Sequence, residues 1–139
     1  MAKTVDITKY FNRENEENGI WKELVINGEK TGIEACVYGI NSNRVYIANE
    51  KFKRDEAELE KISDSEERHM KEEAVYAERI SGFVKDFRNK ETKQSLGKEG
   101  KPMTRDEIYN VIFNSLPIAT AVMKIATDSE YFLGIQKNA

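Results

Sequence analysis

The chain of 139 residues has one cysteine, one histidine and two prolines. Because Cys36 has no second cysteine to pair with, neither an internal disulfide nor a cysteine-based zinc site can form. No apolar run reaches the roughly 20 residues that cross a membrane, and the N-terminus has no signal-peptide core. These absences predict a protein of a reducing compartment that is not secreted and that binds no metal and no membrane.

The chain also lacks a surplus of positive charge. Its 22 basic and 25 acidic residues give a net charge of −3. Nucleic acid and anionic lipid surfaces attract proteins mainly through clustered Lys and Arg side chains. We therefore expect neither of them as a partner.

The apolar content of the chain is enough for one modest hydrophobic core. Hydrophobic residues make up 39% and charged residues 34% of a chain that has the length of a single domain. Residues 1–18 begin with scattered apolar side chains and then turn polar. We interpret them as an arm that docks its apolar residues and continues as a solvated linker. The domain itself is expected to span 19–134, and 135–139 form a short tail.

The clearest local signal is a β-hairpin over residues 19–39. Two runs rich in β-branched and aromatic residues, 20–26 and 33–38, flank the pair Asn27-Gly28. Both turn residues tolerate the positive φ of a tight hairpin turn. A longer loop, bracketed by Gly28 and Gly32, is the alternative.

A long charged segment follows the hairpin and predicts helices over 43–62 and 66–88. Asn41 or Ser42 can cap the first helix, and apolar residues recur at spacings of three, four and seven. Between Glu50 and Glu73, sixteen of 24 residues are charged, ten acidic and six basic. Such a composition is typical of the solvent-facing surface of helices.

The C-terminal third predicts two more helices. Thr104 and Glu107 have the spacing of a capping box, which starts a helix at 105–116. Pro117 cannot continue a regular helix, so a second helix is expected at 118–127. Together these elements predict an α+β fold, with the N-terminal β-hairpin packed against a predominantly α-helical body. The side chains expected in or near its core are Trp21, Leu24, Ile26, Val37 and Phe83.

The residue patterns do not predict catalysis. His69 is flanked on its helix by Glu66 and Glu73, which is the setting of an ordinary surface histidine, and Cys36 has no histidine beside it on its strand. No metal-binding or phosphate-binding motif is complete. We expect a protein that is not an enzyme and that holds no cofactor.

The C-terminal segment has apolar residues on more than one side of its helices. A helix that is apolar all round must be buried, and a domain of this size has little core in which to bury it. We therefore hypothesise that part of the segment binds another chain, either a second copy or a different partner. The alternative is that these residues are ordinary core. The candidate partner-binding residues are Ile112, Phe113, Leu116, Ile118, Val122, Phe132 and Leu133.

Several short motifs follow one another in the order seen in one protein family. The hairpin starts with Gly-hydrophobic, turns at Asn-Gly and ends in Gly-x-Asn-Ser. Further along come Gly-Phe, Gly-Lys-x-Met-Thr, Leu-Pro and Asp-x-x-x-Phe-Leu. These motifs begin at Gly19, Asn27, Gly39, Gly82, Gly100, Leu116 and Asp128. Over residues 19–133 the chain resembles the small tail assembly chaperones of long-tailed bacteriophages, although the family usually has Trp where Phe83 stands.

The resemblance implies a binding role. Chaperones of this family coat the long helical tape measure protein and yield to the tail tube protein as it polymerises. They act in the host cell cytoplasm, are not expected in the mature virion, and many of them form homo-oligomers. Two other classes stay open. One is a structural virion protein, such as a tail completion or tube protein, and the other is a small phage-encoded inhibitor of a host protein.

Overall fold

The computed structural model describes residues 4–134. Within this range, an antiparallel sheet has the strand order β1 (Ile20–Ile26), β2 (Glu29–Val37) and β3 (Val84–Asn89). The helices of the same range are α1 (Arg13–Asn18), α2 (Asn43–Leu59), α3 (Ser65–Ser81), α4 (Arg105–Asn114) and α5 (Leu116–Thr127). Short 3-10 turns lie at Ile7–Tyr10, Lys98–Gly100 and Ser129–Phe132. The α+β class predicted from the sequence is confirmed.

Strands β1 and β2 form the predicted hairpin. Asn27 and Gly28 both have positive φ, 53° and 77°, as a tight two-residue turn requires. The register pairs Ile26 with Glu29 beside the turn. The two-residue turn therefore forms, rather than the longer loop.

The predicted helix over 66–88 is wrong beyond residue 81. α3 ends at Ser81, and residues 84–89 are the third strand, in which Phe87 pairs with Ala35. The spacing of Ile80, Val84 and Phe87, four and then three residues, is that of a helix, so periodicity favoured the wrong element. A register shift between Cys36 and Val37 breaks the regular alternation of the strand at this point. Residues 84–89 form a strand because the backbone N–H and C=O groups at the free edge of β2 need hydrogen-bond partners. A longer α3 would not supply them.

The arm also differs from its predicted form. Residues 13–18, which were expected to be a solvated linker, form helix α1 and bury the side chain of Glu16. One carboxylate oxygen of Glu16 accepts a hydrogen bond from the backbone N–H of Asn41 at 3.1 Å. The apolar residues of the arm, in contrast, do not dock, because Ile7, Tyr10 and Phe11 are exposed.

The core lies between one face of the sheet and the helices. α5 packs against β1 and β2, whereas α3 packs against α2, α4 and α5. Of the residues expected in or near the core, Leu24, Val37 and Phe83 are fully buried, and Ile26 packs against the core from its margin.

Trp21 lies on the other face of the sheet. It is half-buried and pairs in register with Cys36. The guanidinium carbon of Arg88 lies over its ring, 3.8 Å from the ring centre. Neighbouring side chains of a strand point to opposite faces, so Ile20 takes the core position that the sequence suggested for Trp21.

The helix caps that were predicted from neighbouring residues are present in the structure. The hydroxyl of Ser42 accepts the N–H of Val45 at the start of α2, and both bonds of the Thr104–Glu107 capping box are present. α4 and α5 meet at Ser115, with Pro117 in the first turn of α5, where a missing N–H costs little.

The axes of α4 and α5 differ by 111°. Within residues 4–134 no single helix has both the length and the apolar composition of a membrane span. Only α4 and α5 taken together, as a bent pair, meet that test.

Candidate protein-binding surfaces

Three of the seven predicted partner-binding residues are core residues. Ile112, Val122 and Phe132 are buried, and they belong to the same cluster as the residues of the sheet. α5 reaches this cluster because it packs on β1 and β2. These three residues are therefore ordinary core, which was the alternative hypothesis, and they offer no surface to a partner in the folded chain.

The other four residues lie closer to the surface. Phe113 is 46% exposed and Leu116 is 68% exposed, whereas Ile118 and Leu133 are half-buried. Ile118 packs against the margin of the core. Phe113 and Leu116 are thus the part of the predicted set that a partner can contact over a large area.

Phe113 and Leu116 border an apolar cleft between α3, α4 and α5, which we call the C-terminal cleft. Its volume is about 200 Å³. Its lining consists of Glu73, Tyr76, Ala77, Ile112, Phe113, Leu116 and Ala119. A cleft of this size holds one or two apolar side chains of a bound helix.

Two local contacts position the residues around this cleft. Tyr109, one turn before Phe113, stacks on the Phe113 ring with centroids 5.7 Å apart and planes 18° apart. The hydroxyl of Ser115 accepts the N–H of Ile118 at 3.2 Å and so fixes the bend between α4 and α5. Because of that bend, Leu116 stays outside while Ala119 turns into the core.

Tyr76 is the lining residue that the sequence analysis did not single out. It is partly exposed on α3, beside the apolar stripe of that helix. An aromatic residue between Val75 and Ala77, just after the charged stretch, was the only signal in the sequence. Its role depends on the packing of α3 against α4, which brings Tyr76 to the same cleft as Phe113.

The two residues considered for catalysis have ordinary surroundings. The Nε2 atom of exposed His69 lies 3.3 Å from the carboxylate of Glu73, one turn along α3. Burial raises the pKa of the Cys36 thiol to about 11, so the thiol stays protonated at neutral pH and is a poor nucleophile. Among residues 4–134, no three His, Cys, Asp or Glu side chains are grouped to hold a metal ion.

A second concave surface, the N-terminal groove, has a volume of about 1000 Å³. The arm, α1 and the start of β1 form its walls, and Tyr10, Phe11 and Trp21 contribute aromatic surface. The backbone N–H of Gly134 donates to the carbonyl of Phe11 at 2.8 Å, so the two ends of the described chain meet here. The sequence analysis missed this groove, because it expected a solvated linker where helix α1 forms one of the walls.

Comparisons with protein-family models, with curated proteins and with solved structures each find no match to this chain. The C-terminal cleft and the N-terminal groove are the features of its geometry on which a protein partner can bind. The function of the chain is therefore inferred from these surfaces and from the resemblance of its motifs.

Proposed function

We propose that the chain is a non-catalytic tail assembly chaperone that binds the tape measure protein of a long-tailed phage. In this role it covers apolar helical faces of the tape measure protein in the host cell cytoplasm. It is released when the tail tube protein polymerises around the tape measure protein, and it is absent from the mature virion. The motif order described above and the C-terminal cleft support this proposal.

The observation that carries the proposal is the exposed apolar surface at the bend between α4 and α5. Phe113 and Leu116 project beside Tyr76, and the buried side chains of Ala77 and Ala119 form the floor between them. An amphipathic helix presents apolar residues three and four positions apart, which is a spacing that a cleft between helices accepts. Aromatic side chains are also enriched at protein interfaces, and exposed apolar patches commonly mark such interfaces.

The charge around the C-terminal cleft suits a helix with basic flanks. Glu73 lies in the lining, and it belongs to the stretch from residue 50 to 73 in which acidic residues outnumber basic ones by ten to six. Opposite charges at the margin of an interface raise the association rate and select the partner. The acidic surface also keeps a complex with an apolar partner in solution.

The size of the cleft favours reversible binding. Full burial of one large apolar side chain stabilises by about 1.5–3 kcal/mol, and Phe113 and Leu116 are already partly covered. Burial of both side chains by a partner therefore stabilises the complex by only about 2–4 kcal/mol. The entropy lost on association opposes this gain. A chaperone that the tube protein displaces needs this kind of weak contact, repeated along its partner.

The test is capture of the chain by the tagged tape measure protein of the same phage on co-expression. A Phe113→Asp, Leu116→Asp double variant should lose at least tenfold in capture. The matched control is Tyr46→Asp, Ile47→Asp, because these two apolar residues of α2 are similarly exposed, at 64% and 63%. The control should be captured like the unaltered protein. Melting curves should show all three proteins folded.

Equal capture of the cleft variant and the unaltered protein would refute the assignment of the C-terminal cleft. Failure of the unaltered protein to be captured would refute the chaperone proposal itself. Mass spectrometry of purified virions separates the structural alternative, because a tail completion or tube protein remains in the particle. Light scattering of the purified chain tests the homo-oligomer that the resemblance implies.

A further inference from the structure

Three cationic side chains converge on a small cleft that the proposed function does not use. Arg44 comes from the first turn of α2, Lys85 from β3 and Arg105 from the first residue of α4. The cleft has a volume of about 160 Å³, and Tyr38 and Gly82 also line it. We call it the basic cleft.

The three cationic residues are exposed, and none of them has an acidic partner within residues 4–134. Neither Arg44, Lys85 nor Arg105 makes an ion pair or a side-chain hydrogen bond there, although the protein carries a net charge of −3. Two of the acidic groups nearest in sequence are occupied elsewhere, whereas Asp106, next to Arg105, is exposed and pairs with none of the three cations. Asp86 accepts hydrogen bonds from Ser95 and from the backbone of residue 103, and Glu107 caps α4. The positive charge of the basic cleft is therefore not neutralised by these neighbours.

A buried tyrosine supplies a neutral donor to the same cleft. Tyr38 is only 8% exposed, and its hydroxyl makes no hydrogen bond to any described residue. The guanidinium carbon of Arg44 lies 5.8 Å from the centre of the Tyr38 ring. Burial raises the pKa of the phenol, against the opposing effect of Arg44 and Arg105, so the hydroxyl is protonated at neutral pH. Among the described residues no buried side-chain oxygen lacks a hydrogen-bond partner, so the Tyr38 hydroxyl reaches the solvent, where it can donate to a ligand in the cleft.

The backbone at Gly82 lets Arg105 come close. A Cβ atom at residue 82 would lie 3.4 Å from a terminal nitrogen of Arg105 and 2.8 Å from the Cβ of Ala48. The glycine thus allows α2, α3 and the Arg105 side chain to meet at one wall of the cleft. Arg105 is exposed, so this approach brings its guanidinium to the wall of the cleft without burying it.

We propose that the basic cleft binds a tetrahedral, doubly charged oxyanion, namely a phosphate ion or the phosphoryl group of a small ligand. Two guanidinium groups offer paired N–H donors that match phosphate oxygens, and Lys85 adds a third charge. Three positive charges suit a dianion better than a single carboxylate. The volume of about 160 Å³ admits a phosphoryl group, whereas drug-sized ligands need roughly 300 Å³ or more.

Isothermal titration calorimetry of the full chain with sodium phosphate tests this site, with ionic strength kept constant by sodium chloride. Saturable binding is expected, and acetate should bind more weakly than phosphate. Arg44→Gln and Arg105→Gln should each weaken phosphate binding by roughly tenfold or more, Lys85→Gln by less, and Tyr38→Phe by about threefold. The control is Arg54→Gln, which removes the same charge from an exposed arginine of α2. It should leave the affinity unchanged.

Parallel titrations with phosphoserine identify the source of the phosphoryl group. Equal affinity indicates free phosphate, and tighter binding indicates an organic phosphate. An absence of phosphate binding would overturn the proposal, as would an equal loss of affinity in Arg54→Gln. So would tighter binding of a short single-stranded DNA that the same substitutions abolish, because the ligand would then be a nucleic acid backbone. Melting curves without phosphate verify that each variant is folded.

Discussion

The side chain of Glu16 lies directly on Gly39, in space that any larger residue at position 39 would occupy. The backbone N–H of Gly39 donates to the carbonyl of Glu16 at 3.1 Å. The carboxylate accepts from the N–H of Asn41 at 3.1 Å and from the amide of Asn12 at 2.6 Å. Helix α1 is thereby attached to the connection between β2 and α2, and the buried carboxylate is fully hydrogen-bonded.

Gly39→Ala is expected to lower the free energy of unfolding by about 1–3 kcal/mol, because the added methyl group overlaps the Glu16 side chain. Urea denaturation measures the loss. Glu16→Ala should also destabilise, since it leaves the partly buried N–H of Asn41 without its acceptor. The double variant should lose less than the sum of the two single losses, because the overlap is gone. Strict additivity would contradict the proposed overlap.

Arg88→Met is expected to destabilise by about 3 kcal/mol, since it leaves the carboxylate of Glu34 buried with one remaining cation, Lys93. In the unaltered protein the Nε of Arg88 lies 2.8 Å from the Glu34 carboxylate, and both side chains are largely buried. The same substitution uncovers the only tryptophan, Trp21, so its fluorescence should shift to longer wavelength. Thermal denaturation and the emission spectrum are the two measurements.

Lys90→Met is the control for that experiment. Lys90 also pairs with Glu23, at 2.9 Å, but the Lys90 side chain is 47% exposed, against 12% for that of Arg88. Solvent and salt screen such a pair more strongly, and Glu23 keeps the hydrogen bond from the N–H of Gly32, so the midpoint of unfolding should move much less than in Arg88→Met. A similar loss in both variants would mean that burial of the Glu34–Arg88 pair adds nothing.

Cys36 should lower the stability of the chain at alkaline pH. Burial raises the pKa of its thiol from 9.0 to about 11, so between these values the unfolded chain loses a proton that the folded chain keeps. Ionisation therefore favours the unfolded state, and stability falls as the pH rises from about 9 to about 11. Lysines and tyrosines titrate in the same range, so the quantity to measure is the difference from Cys36→Ala. The unaltered protein should show the steeper fall.

Reaction of the thiol with Ellman's reagent gives an independent measurement. At pH 8 the folded protein should react far more slowly than the same protein in urea, since Cys36 is buried and protonated. Rapid labelling of the folded chain would show that the strand end at Cys36 opens readily.

Elements with a complete local signal could be predicted from the sequence. Asn27 and Gly28 specify the hairpin turn because both tolerate positive φ, and the Thr104–Glu107 capping box forms from residues three positions apart. β3 could not be predicted in this way. Its apolar spacing is that of a helix, and its partner strand is about fifty residues away.

In the candidate binding site, too, the sequence predicted some features and the tertiary structure decided others. The sequence by itself determined that the C-terminal segment has more apolar surface than one helix face can bury. Only the tertiary structure decided that Val122 is core and that Phe113 and Leu116 are surface, because α5 lies across β1 and β2 after a sharp bend. Burial depends on which elements meet, and the basic cleft likewise exists only because the starts of α2, β3 and α4 converge. Local spacing along the chain carries no information about either arrangement.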